Sequence, residues 1–427
     1  VNFILPNLED LSRCIDHLLL QGFTFRYYLR CMYPTLYHAF YDWFGVEWSW
    51  AKMLNSFGFF VALAFIAASY TLTLELKRKE SLGLINGGTR KVVIGGAPNM
   101  MDIFFSGLMG FILGWKVIYL LLNSARLFNG VNSPQHIIFS KSGYPLLGIL
   151  VGGGYAYFRY YQEKKKQLPQ PEVKMEAFSA GEYTGTITFL AAIGGLAGAK
   201  LFHLLENPAE LREFFTQPSL ESFISGLTVY GGLIVGAIVV LTFARMKRIP
   251  MLVLSDAATP GMILAYGIGR MGCHTSGDGD WGIENLSPKP GWLSWLPDWA
   301  WSYDYPNNVN RVGELMSSNQ YPGYGTHLVP SVFPTPLYEI VAAVAIFIFL
   351  WSLRKRINAA GVITGLYLVF NGLERFFIEK IRVNNKFDFL GVQATQAEII
   401  AVLFMLGGAV LLYFSLKRKA TDKATLV

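Results

Sequence analysis

Charge is scarce in this 427-residue chain: Asp, Glu, Lys and Arg together make up 15% of it, against about 25% in soluble proteins. With 52% hydrophobic residues, that shortage excludes an ordinary soluble domain and points to a membrane protein. Cysteine is scarcer still. Cys14, Cys31 and Cys273 form neither a zinc spacing nor a disulfide framework. The first 31 residues lack the basic start, apolar core and small-residue cleavage site of a signal peptide. Met32 reads as a more natural start, which makes residues 1–31 a candidate upstream extension with no function attached. Fixed-period repeats are missing too, as are the matching broken helices expected of an inverted-repeat transporter.

Long apolar runs are what the chain does have. About 20 such residues cross a bilayer, and nine stretches qualify, at approximately 51–74, 102–122, 143–161, 184–206, 227–245, 253–273, 336–353, 361–380 and 396–416. The expected fold is therefore all-α, a polytopic integral membrane helix bundle. Basic clusters at 77–79, 164–166, 245–248, 354–356 and 417–419 fall on one side when nine spans alternate. By the positive-inside rule that side is cytoplasmic, so the amino terminus lies outside and the carboxyl terminus inside. These anchors account for the net charge of +7, leaving no signal for nucleic acid.

Ionisable residues within spans are costly and mark function by default. Helical rise sets their depth. Arg270 ends the sixth span, in "GIGRMGCHTSGDGDWG". Arg375 and Glu379 lie in the outer half of the eighth, and Tyr338 and Glu339 in the outer turn of the seventh. Tyr230 opens the fifth, and Lys200 with His203 closes the fourth. Five spans thus bring polar groups to one depth, near the outer headgroups. Asn371, Arg375 and Glu379 follow at i, i+4 and i+8, with Arg382 three further on, along one helical face. Arg375 and Glu379 alone would be a self-neutralising pair. Arg270 at the same depth adds a second fork suited to phosphate.

Other residues weigh towards structure. Asp256, at "LSDAATPG", reads as a helix cap. Cys273 fits a small buried hydrophobe better than a nucleophile. His274 is placed to act as acid or base, although a lone histidine is more often structural. Spans two and three carry little besides Asp102, Lys116 and Arg159 and look like scaffold. The segment 274–335 is rich in Gly, Pro and Trp, the composition of a loop at the membrane interface.

These motifs, in this order, resemble the bacterial prolipoprotein diacylglyceryl transferases. The family pattern H-G-G-L-I-G is similar to "YGGLIVG", Tyr230 to Gly236, including Gly231 and Gly232. The signature G-R-x-G-N-x-x-N-G-E is similar to "GRMGCHTSGD", including Gly269, Arg270, Gly272, Cys273 and Asp278. "PTPLYE" supplies Tyr338 and Glu339, and the R-x-x-x-E of the next span is Arg375 and Glu379. The resemblance covers roughly 33–79 and 182–419. It divides the chain into an extracytoplasmic amino-terminal segment (1–49), a first transmembrane helix (50–80) and an inserted two-helix segment (81–181). Core helices (182–273), an outer loop (274–335) and the carboxyl-terminal helices with a cytoplasmic tail (336–427) follow.

The resemblance implies transfer of the diacylglyceryl group of phosphatidylglycerol to the lipobox cysteine thiol of a prolipoprotein signal peptide, with loss of glycerol 1-phosphate. It implies a site in the bacterial cytoplasmic membrane facing the outer leaflet, with no metal or cofactor. Arg270 and Arg375 would bind the lipid phosphate. The chain departs from the family at three places: its histidine is Tyr230, its signature asparagine Cys273 and its glutamate Asp278. A tyrosine with its usual pKa of about 10 is a poor base at neutral pH. His274, Glu379 and Asp278 remain candidates for helping to deprotonate the thiol, or the thiol ionises in the arginine field alone. A transporter using the same charges, or an inactive lipid-binding scaffold, are the rival functions.

Overall fold

The computed structural model describes residues 32–127, 140–216, 226–317, 321, 323–384, 387–389 and 392–424. The candidate extension 1–31 lies outside them. In chain order the main helices are α1 (Leu36–Phe44), α2 (Ser56–Ser81), α3 (Met100–Leu122), α4 (Pro145–Lys165), α5 (Tyr183–Glu206), α6 (Pro208–Thr216), α7 (Val229–Met246), α8 (Met251–Ser276), α9 (Thr335–Leu353), α10 (Val362–Glu379) and α11 (Gln396–Ala424). Three two-stranded antiparallel ribbons join them. They pair β1 (Gly88–Ile94) with β2 (Glu172–Phe178), β3 (Glu314–Leu315) with β4 (Thr326–His327), and β5 (Phe387–Phe389) with β6 (Val392–Ala394).

Among the described residues, seven helices are long and apolar enough to cross a membrane: α2, α3, α5, α7, α8, α9 and α11. The two other expected spans are also helices, α4 and α10. Their polar residues set them apart. Arg159, Glu163, Lys164 and Lys165 crowd the end of α4, and Glu374, Arg375 and Glu379 sit within α10.

Helices pair through small residues, as membrane bundles do where close backbone contact replaces a hydrophobic driving force. α5 lies on α7, α3 on α4, α2 on α8 and α10 on α11. A Cβ on Gly198 of α5 would come within 2.4 Å of the Gly231 carbonyl of α7, so only glycine permits this spacing. α8 is the central helix, touching α2, α9 and α10. Asp256 is a cap, as its sequence context suggests, but for another helix. It lies inside α8 and accepts hydrogen bonds from Gly361 N and Thr364 N, both at 2.8 Å, at the start of α10. Lys116, on a wide π-helical turn of α3, donates to Ser140 O at 2.7 Å and Ser142 O at 2.9 Å, a purely local role.

The segment 274–335 has its own core. Met32, Tyr303, Tyr305, Leu328 and Val332 are buried together, with Trp281 and Trp299 packed against them. Tyr338 fixes this unit to α9 by donating to Ala300 O at 2.9 Å. Trp292 and Trp295 remain exposed, as interfacial tryptophans would be.

Candidate functional site

The site forms where α8 stops. Gly277 takes the left-handed conformation (φ +62°) and its N–H returns to Cys273 O at 3.0 Å, closing the helix end. A second left-handed glycine, Gly279 (φ +101°), turns the chain again. Asp278 and Asp280 are thereby brought back beside Arg270 and Cys273. Ligand atoms of Cys273, Asp278 and Asp280 lie within 4.8 Å of one another. Asp280 already bridges two guanidinium groups, whose positive charge opposes a metal cation there.

Glu339, the fifth residue of α9 and fully buried, is the hub. Its Oε2 lies 3.0 Å from Arg270 Nε. Its Oε1 lies 3.3 Å from Arg375 Nη1 and 3.5 Å from Arg382 Nη1, and accepts from the Tyr266 hydroxyl at 3.0 Å. Asp280 closes the ring, pairing with Arg270 and, at 2.7 Å, with Arg382 Nη2. Glu379 holds Arg375 Nη2 at 3.0 Å, as the i, i+4 spacing predicts. Three arginines from α8, α10 and the turn after α10 thus meet three carboxylates. A fourth acid, Glu374, is buried and reaches the cluster through Tyr266, whose hydroxyl lies 3.4 Å from Glu374 Oε1.

Electrostatics separates the two loop aspartates. Burial, and then the neighbouring Asp280 charge, push the Asp278 carboxyl above the usual range. Burial acts upward on Asp280 as well, but Arg270 and Arg382 outweigh it and hold that carboxyl below the usual range. Asp280 is the acid that pairs with the arginines, although the signature alignment pointed to Asp278.

The remaining expected residues scatter. Tyr230, half-buried in the first turn of α7, faces Arg375 closely enough to interact with it electrostatically. His274 turns away into the core of the loop, its Nδ1 3.4 Å from the Tyr305 hydroxyl and its ring packed on Tyr303 and Tyr305. His203 pairs with Glu210 at 2.8 Å, and Lys200 lies over the Phe214 ring at 5.7 Å; both face α6. Gly231 and Gly232 are contact points with α5, and Gly272 packs on Phe57 and Phe60 of α2. Of the glycines flanking Arg270 and Cys273, Gly269 faces open space, with no atom within 4 Å of an added Cβ.

Tyr266, Asp280 and Glu374 carry no motif, and Arg382 is reached only by extending the face of α10. Tyr266 had a usable signal, because it precedes Arg270 by four residues on one helical face. Its ring lies 5.1 Å from the Arg270 guanidinium, within cation–π range.

Residues 147–414 match the family described as prolipoprotein diacylglyceryl transferase. This stretch runs from α4 into α11 and contains Tyr230, Arg270, Glu339, Arg375, Glu379 and Arg382. Three relatives carry the name phosphatidylglycerol–prolipoprotein diacylglyceryl transferase. One from Bifidobacterium adolescentis is 28% identical over 246 residues, 55% of this chain and 67% of the relative. One from Bifidobacterium longum is 30% identical over 221 residues, 50% and 64% respectively. One from Corynebacterium glutamicum is 29% identical over 240 residues, 54% and 68%. The chain therefore spans about two thirds of the length of these relatives.

Proposed function

The chain belongs to the prolipoprotein diacylglyceryl transferase family, and on that premise we propose that it transfers diacylglyceryl from phosphatidylglycerol to the lipobox cysteine of a prolipoprotein. The thiolate sulfur attacks the carbon of the diacylglyceryl moiety that is esterified to the phosphate, a thioether forms there, and the electrons of the broken C–O bond leave on the phosphate oxygen of glycerol 1-phosphate. The convergence of Arg270, Arg375 and Arg382 on Glu339 carries this assignment. Such a cluster at a membrane-helix end suits a lipid phosphate, whose charge would otherwise be costly to strip of water.

The arginines stabilise charge as it builds on the leaving phosphate, the term that usually contributes most to catalysis. Tyr230 donates a hydrogen bond to that phosphate. Asp278 is our choice of thiol proton acceptor, supported by its place beside Asp280 at the arginine cluster and by the upward push of burial on its carboxyl, which makes it a stronger base. Nine spans, with α4 and α10 included, give an outer amino terminus and a cytoplasmic carboxyl terminus, supported by the basic flanks. The site then opens to the outer leaflet of the cytoplasmic membrane, where lipid and an embedded signal peptide arrive laterally.

The decisive assay supplies a lipobox peptide to purified protein in phosphatidylglycerol nanodiscs. Lipidated peptide and released glycerol 1-phosphate are expected in equal amounts. Lipid binding without product would make the protein a scaffold, and solute flux across sealed proteoliposomes of the same lipid without product a transporter.

Within that assay, Tyr230→Phe should lose one hydrogen bond to a charged group, ~1.5–3 kcal/mol, or about 10- to 150-fold in rate if the loss falls on the transition state. His274→Ala should change turnover less, because its contacts lie in the loop core. A dead Tyr230→Phe beside an unaffected His274→Ala would give the tyrosine a proton-transfer role instead.

A further inference from the structure

The three arginines are already neutralised. Glu339, Glu379 and Asp280 answer Arg270, Arg375 and Arg382 one for one. A phosphate entering this cluster meets no unanswered cation, so it must take the place of a carboxylate. The three carboxylates differ in one respect that decides which. The side chains of Glu339 and Glu379 are 0% exposed, whereas that of Asp280 is 35% exposed. Asp280 stands at the mouth of the cluster, the other two at its floor.

The way Asp280 binds points in the same direction. Its two oxygens serve two different arginines, Oδ2 to Arg270 Nη1 and Oδ1 to Arg382 Nη2. A phosphodiester also presents two unesterified oxygens on one atom, and guanidinium forks take either group. The backbone at this point is tied on its far side, since Thr335 Oγ1 donates to Asp280 O and Gly282 N to Phe333 O, both at 2.8 Å. Rotation about the side chain alone would release both arginines.

We infer that Asp280 is a resident occupant of the phosphate site: its carboxylate holds Arg270 and Arg382 together, and the phosphate of the lipid displaces it. This deepens the transferase function proposed above and rests on it for the identity of the lipid. Asp280 then sets specificity by competition. A ligand must outbid a tethered carboxylate, which an uncharged headgroup without phosphate cannot do. The same carboxylate returns to expel glycerol 1-phosphate after transfer.

The test compares wild-type protein with Asp280→Asn and Asp280→Glu, in phosphatidylcholine nanodiscs holding graded phosphatidylglycerol. A parallel arm titrates glycerol 1-phosphate in water. Removing the resident anion should lower the dissociation constant at least roughly tenfold in Asp280→Asn, while Asp280→Glu stays near the wild type. A gain confined to the lipid makes the displaced anion a headgroup phosphate, and a gain confined to glycerol 1-phosphate makes it the departing product. Either supports displacement. Unchanged or weaker binding in both arms overturns it. Should Asp280→Asn fail to insert, a wild-type structure with glycerol 1-phosphate decides. Phosphate between Arg270 and Arg382 with Asp280 turned out supports the inference, and phosphate elsewhere with Asp280 in place defeats it. Peptide lipidation by the wild type is scored separately: its absence beside an Asp280→Asn binding gain would sink the transferase function and leave the anion site standing.

Discussion

Glu339→Gln is expected to abolish turnover and to destabilise the bundle together. Glu339 is fully buried and touches Arg270, Arg375, Arg382 and Tyr266. Glutamine keeps the shape and one acceptor but removes the negative charge. Of the carboxylates paired directly with the arginines, only Asp280 and Glu379 then face three guanidinium groups, leaving one buried cation without its ion-pair partner. Breaking a buried ion pair from one side costs about 3–5 kcal/mol, a large part of the ~5–15 kcal/mol that holds a typical protein folded. Activity suffers separately, because the arginine forks lose the group that aligns them. Thermal unfolding and peptide lipidation in nanodiscs measure the two effects. A variant with wild-type melting and more than a tenth of wild-type turnover would remove Glu339 from the centre of the site.

How far the sequence reveals this site depends on which part of the chain forms it. Arg270, Arg375, Glu379 and Glu339 were legible because helical rise and the alternation of apolar runs assign them one level, and the structure brings the four together. Periodicity needs no tertiary information. Tyr266 was legible by the same rule, four residues before Arg270, yet a tyrosine in an apolar run draws no notice. Asp280 was not legible. Two aspartates stand two residues apart, and the left-handed turns at Gly277 and Gly279 decide which one swings back to the arginines. Residue identity permits those turns without dictating their direction. His274 shows the opposite case. Its position at the end of a span suggests chemistry, but the side chain enters an aromatic core that residues about 30 positions later complete. The YGG glycines showed a third limit: the motif was visible, but their contact with α5 depends on which helices become neighbours.

Arg270→Lys separates charge from geometry at this site. Arg270 sends Nε to Glu339 at 3.0 Å and Nη1 to Asp280, with Nη1 also 3.9 Å from Cys273 Sγ. A guanidinium reaches all three because its donors splay in a rigid plane. A lysine ammonium is a single point on a flexible stem, so it can serve Glu339 or the phosphate position and not both. The cluster keeps its net charge, and the protein should insert and melt within a few degrees of the wild type. Transfer should fall steeply. Losing one charge-assisted hydrogen bond at ~1.5–3 kcal/mol corresponds to roughly one to two orders of magnitude in rate, if the whole loss falls on the transition state. The phosphatidylglycerol dissociation constant should rise less than turnover falls, since developing charge on the leaving phosphate uses the fork most strongly. Arg270→Gln supplies the contrast by removing the charge as well, and should be worse in stability and no better in rate. If Arg270→Lys instead turns over within threefold of the wild type while Arg270→Gln is dead, charge alone suffices and the bidentate role at Arg270 is wrong.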